Sequence, residues 1–158
     1  MQAQGILAHL TRYLSAYPRE RAGMLILDSA LARHCVPAFP SETDGKNGAY
    51  LEMALASLRK CEPIILKLSR HSRLRQRFLL ERSKVMAAMA QLYASTDPDV
   101  ALQYTQLGKA DIGAVRRLTP PRNELWHRIA EAQTARLEQL HISIGGIALA
   151  KAHDARTG

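Results

Sequence analysis

Nine cationic side chains, Arg59, Lys60, Lys67, Arg70, Arg73, Arg75, Arg77, Arg82 and Lys84, fall within residues 59–84, offset only by Glu62 and Glu81. Elsewhere the charges nearly cancel: residues 1–58 hold five basic and five acidic side chains, and residues 85–158 hold eight and seven. The net charge of +8 is therefore almost wholly local. Arginine predominates in the segment, and its planar, permanently charged fork matches phosphate oxygens bidentately. The chemistry expected of such a segment is binding of an anion, with nucleic acid the leading candidate. Recognition through the backbone would be salt-sensitive and carry little base preference. An acidic protein surface is the alternative ligand, and a merely solvated face is the plainest reading. Phe78 is the one aromatic residue among these cations, so a row of base-stacking rings is not expected.

Other chemistry leaves little trace in the sequence. No Gly-rich phosphate loop or dinucleotide fingerprint occurs. The histidines His9, His34, His71, His127, His141 and His153 include no pair four apart, as a helical zinc site would need. Cys35 and Cys61 are too few for a disulfide framework and read as buried thiols. Serines and carboxylates show no catalytic spacing. The expectation is a non-catalytic protein with no cofactor and no metal. Met86 and Met89 fit core packing, whereas Trp126 suits either a core anchor or an interface.

The elements that would position these residues read as helices. A chain of 158 residues has the size of one domain, and 47% apolar residues is an ordinary globular value. Ile6, Leu10, Tyr13, Leu14 and Tyr17 step by three and four, the spacing of a helix face. Pro18 ends that helix, and a second follows through Met24, Leu27, Leu31 and Cys35. Residues 37–48, with two prolines and two glycines, form a connector. A third helix is expected over Tyr50 to Arg70, kinked or split by Pro63. After a break at His71-Ser72 comes a fourth, through Phe78, Val85, Met86, Met89, Leu92 and Tyr93. Thr96-Asp97-Pro98-Asp99 starts a short fifth helix reaching Lys109, with Thr96 as its expected cap, Pro98 in the first turn and Asp99 completing a capping box. Thr119-Pro-Pro-Arg starts a last one, its apolar face made by Leu125, Ile129, Ala132, Leu137 and Leu140. The fold class is all-α: an antiparallel four-helix bundle over residues 5–95 with C-terminal helices at 97–141 and a partly flexible tail at 142–158. The longest apolar stretch, Ile142 to Ala150, is too short to span a bilayer, and Met1-Gln-Ala-Gln-Gly lacks a secretory start. No membrane role is expected, and the cytoplasm is the expected compartment.

Three short motifs occur in an order that resembles a known group. They are Leu14-Ser-Ala-Tyr-Pro-Arg-Glu-Arg at the first helix corner, Lys46-Asn-Gly-Ala-Tyr-Leu-Glu-Met-Ala-Leu-Ala-Ser-Leu in the third helix, and Met86-Ala-Ala-Met-Ala-Gln-Leu-Tyr closing the fourth. The pattern, over residues 5–95, is similar to the four-helix-bundle family that includes the accessory variability determinant of diversity-generating retroelements and the ribosomal intervening-sequence proteins. The resemblance implies a homopentameric basic bundle that partners a reverse transcriptase and its template RNA or cDNA. The chain departs from the pattern in Pro63 and in its extension past residue 95. The rival expectation is a helical adaptor or chaperone that docks an acidic protein.

Overall fold

A computed structural model of the chain describes residues 17–36, 45–69 and 72–157. The expected first helix through Leu14, most of the 37–48 connector, Arg70 and His71 lie outside the described residues. Five helices make up the rest: α1 Pro18–His34, α2 Gly45–Leu66, α3 Arg73–Tyr93, α4 Pro98–Leu118 and α5 Glu124–Thr157. No strand occurs among the described residues. The protein is an all-α bundle with an added C-terminal helix, as the sequence predicts. No described helix is long and apolar enough to cross a membrane.

Local signals account for the helix ends. Pro18 occupies the first turn of α1, where its missing N–H costs nothing, and Glu20 and Arg33 complement the helix dipole at opposite ends. Ser72 caps α3 by accepting from the Leu74 amide at 3.3 Å. Asp97, rather than Thr96, caps α4 by accepting from Val100 N at 3.1 Å, with Pro98 in the first turn. Asn123 Oδ1 accepts from Trp126 N at the start of α5.

Several boundaries differ from those expected, for identifiable reasons. α2 begins at Gly45, so the connector is shorter than composition suggests. Pro63 lies in its last turn, where one lost donor neither splits nor ends the helix. α4 runs on to Leu118 because Ile112 and Val115 are buried past the expected stop at Lys109. α5 continues beyond His141 to Thr157, and Ile144 is buried. Its far end is tied down where the Lys151 ammonium donates to the Ser95 and Thr96 carbonyls at the α3–α4 turn.

α3 is the centre. Residues 85–90, Val-Met-Ala-Ala-Met-Ala, are all buried, so the helix is apolar around its whole circumference there. One side joins Ala22, Leu25, Leu51, Leu55 and Leu58 of α1 and α2. Another joins Ile112, Val115, Ala130 and Leu137 of α4 and α5. Two three-helix units thus share one helix. Antiparallel neighbours α1 and α2 meet through Ser57, which donates to Asp28, and through the Cys61 thiol, which donates to Ala22 O at 3.5 Å.

The buried face of α1 is also not the expected one. Ala22, Leu25, Ser29 and Ala32 face inward, while Leu27 and Leu31 stay half exposed at 54% and 50%. Small residues let α1 approach α2 closely, so size, rather than hydropathy alone, decides the face. In α5, likewise, Ala130, Gln133 and Leu137 are buried while Leu125 and Ala132 are exposed. Trp126 is half-buried against the second core. Of the two thiols expected to be buried, Cys61 is buried and Cys35 is exposed, because α1 ends at His34 and releases it from the packed face.

Two predictions follow from this packing. A Cβ on buried Gly108 would lie 2.9 Å from Leu137 Cδ2 and 3.4 Å from Met86 Cβ, so Gly108→Val should cost about 1–3 kcal/mol through overpacking, read by urea unfolding. Burial, and then the nearby Glu62 charge, push the Cys61 thiol up to about 12 from 9.0. An iodoacetamide titration of native protein at pH 8 should therefore modify Cys35 alone, with Cys61 reacting only on unfolding. The sign for stability is fixed: the contribution of the neutral Cys61 thiol is complete below pH 9 and is lost as pH rises from 9 towards 12.

Candidate nucleic-acid interface

The structure divides the nine cations by what they touch. Arg82 lies on the inner side of α3. Its Nε and Nη2 donate to the two Asp111 oxygens of α4, each at 2.7 Å, and its Nη1 donates to Glu62 of α2, also at 2.7 Å. Its guanidinium carbon stands 5.0 Å from the centre of the Phe78 ring. The hydrogen bond to Asp111 is the main cause that raises its pKa, against the opposing effect of burial. This one side chain bridges α2 and α4.

Lys84, two turns from Arg77, is half-buried. Desolvation lowers its pKa first; Glu81 opposes that shift, and the Arg33 and Arg136 charges add to it. Around it, Arg33 of α1 pairs with the buried Glu81 at 2.8 Å, and Arg136 of α5 donates to Gln91 at 3.0 Å. Burial and the Arg33 charge lower the Arg136 pKa in turn. Arg33, Lys84 and Arg136 thus form a second cationic group, with Glu81 set against it. Neither Arg33 nor Arg136 belongs to residues 59–84, and no local sequence signal distinguishes them.

The other described cations face outward. Arg59, Lys60, Lys67, Arg73 and Arg77 are exposed and Arg75 is half exposed. None of the six is held in an ion pair among the described residues. They do not form one patch. Arg59 and Lys60 sit on the flank of α2, where the Arg59 charge reaches Tyr104 of α4 and partly offsets the burial that raises that phenol's pKa. Lys67 follows the end of α2, and Arg73 and Arg77 lie one turn apart on α3.

A third helix joins this corner. α1 and α3 run the same way, Gly23 lying against Leu74 and Arg33 against Glu81. Both helix N-termini therefore meet at one end of the bundle. Between them lies an open cavity of about 580 Å³ lined by Arg19, Glu20, Ser69, Ser72, Arg73 and Arg77. Two helix dipoles place their positive ends there, and three guanidinium groups surround it, the arrangement that favours phosphate. Among the described residues of its lining, Glu20 is the one opposing charge. Arg19 comes from a segment with no net charge, so charge counting along the chain does not find it; the parallel course of α1 and α3 brings it in.

Among the described residues, no three His, Cys, Asp or Glu side chains converge as a metal site requires. The chain matches no family model, no curated protein and no solved structure.

The division between paired and unpaired cations can be measured. Arg82→Ala leaves the nearly buried Asp111 carboxylate without its partner and should lower unfolding stability by about 2–3 kcal/mol. Arg77→Ala should change it by no more than about 0.5 kcal/mol. Guanidinium chloride would screen these charges, so urea unfolding curves are the appropriate comparison.

Proposed function

We propose that this protein is a non-catalytic nucleic-acid-binding protein whose contact surface is the corner formed by Arg19, Lys67, Arg73 and Arg77. Arg59, Lys60 and Arg75 widen the positive field around it. One observation supports the reading above all: these cations face solvent without ion-pair partners among the described residues, while Arg82, about one turn beyond Arg77, is engaged with carboxylates. Cations kept for solubility alone would be expected to spread over the surface. Here Arg19, Lys67, Arg73 and Arg77 gather where two helix N-termini already favour an anion. Arg82 then serves the fold, and Lys84 contributes to the field from a half-buried position. A role beside a reverse transcriptase, and assembly into a pentamer, rest on the three sequence motifs alone and extend the same proposal.

A second reading has its own observation. Ile142 and Leu149, one heptad apart on α5, are each 75% exposed, which suits a protein contact by an adaptor or by another copy of the chain. The two readings separate on nuclease treatment, which leaves a directly bound protein partner in place and releases one held through nucleic acid.

The test of the leading reading is the salt dependence of binding to RNA and DNA oligonucleotides, followed by fluorescence anisotropy. The triple variant Lys67→Gln, Arg73→Gln, Arg77→Gln should bind at least about tenfold more weakly. Its log–log salt slope should be shallower by about 2, at roughly 0.7–0.9 for each phosphate that is no longer neutralised. Wild-type affinity and slope in that variant would overturn the proposal.

A further inference from the structure

Next to the cationic cavity lies a second one of different character. It measures about 460 Å³ and is walled by Tyr17, Pro18, Pro63, Ile64 and Leu68, with Arg19 and Lys67 at its rim. Its size falls within the range that takes small-molecule ligands. Tyr17 is 59% exposed, so part of its ring is open to solvent beside this cavity. Glu20 and Arg19 line both cavities, so the two adjoin. Pro63 is an exposed wall of the apolar cavity, which gives a use to a proline placed inside a helix.

We propose that these adjoining cavities bind single-stranded nucleic acid, an unstacked base entering beside Tyr17 while its phosphate lies among Arg19, Arg73 and Arg77. The inference rests on the nucleic-acid reading and deepens it by naming the strand form. An apolar slot with one aromatic wall accepts the face of any base, and stacking of this kind tolerates all sequences. A paired base cannot enter, because its faces are covered by its neighbours in the duplex. The Glu20 carboxylate has a place in this arrangement: it can accept from the exocyclic amino groups of cytosine, adenine or guanine, which uracil and thymine lack. An apolar slot beside a cationic one suits a nucleotide, whose base and phosphate are joined through one sugar.

Three fluorescent ligands of equal length test this on the full chain: a single-stranded oligonucleotide, its duplex, and a strand of abasic sugar-phosphate. The single strand should bind about tenfold tighter than either of the others. Tyr17→Ala should remove that preference while leaving duplex and abasic affinity unchanged, and Tyr17→Phe should restore it. Tyr17 is a solvent-facing residue with no side-chain cap bond, so circular dichroism should show both variants folded. Equal binding of all three ligands, or a preference that survives Tyr17→Ala, would overturn the inference and leave the nucleic-acid reading standing. Failure of every ligand to bind would overturn both.

Discussion

The structure depends on α3 being buried on opposite sides at once. A helix with a single apolar stripe can complete one core, but residues 85–90 supply apolar or small side chains in every direction. Met86 and Met89 fill space while Ala87, Ala88 and Ala90 let neighbouring helices approach, so α1 and α2 pack on one side and α4 and α5 on another. Gly108 of α4 extends the same device, bringing its backbone close to Met86 and Leu137. Neither three-helix unit would retain a complete core without α3. The two should therefore unfold as one cooperative body.

Because α3 is central, its N-terminus is where several chain segments converge. α1 runs parallel to it, and the short connection from α2 delivers Lys67 to the same end. The charge cluster is thus a consequence of topology as much as of sequence. Arginines with carboxylates within reach become part of the frame, as Arg82 does with Asp111 and Glu62. Those at the open corner form no ion pair among the described residues, although Glu20 lines the same cavity. Buried ion pairs contribute little net stability but are costly to break from one side, which makes Arg82 a specifier of how α2 and α4 sit rather than a source of affinity.

The fold class was legible in the sequence because helix signals are local: Pro98 in a first turn, the break at His71-Ser72, apolar residues at three- and four-residue steps. The location of the positive corner was legible for the same reason, since Lys67, Arg73 and Arg77 are neighbours along the chain. What the sequence concealed depends on contacts between distant segments. α1 buries Ala22, Ser29 and Ala32 instead of Leu27 and Leu31, a choice set by how closely α2 can approach. The length of α5 depends on Ile144 finding a core and Lys151 finding two carbonyls, and neither has a sequence period to announce it. Arg19, Arg33 and Arg136 are ordinary isolated cations until the helices place them. Tyr17 lies far from residues 59–84 in sequence and lines one cavity with Lys67 in space, a proximity with no local signal.

The Arg82 bridge has a practical meaning in solution. Its partner Asp111 is almost shielded from solvent, whereas the corner arginines stand in it, and mobile ions screen exposed charges far more effectively than enclosed ones. Rising ionic strength should loosen whatever is held at the corner well before it weakens the seam between α2 and α4. If the corner binds a polyanion, as proposed, that leaves a band of salt concentration in which the ligand is released while the protein stays folded.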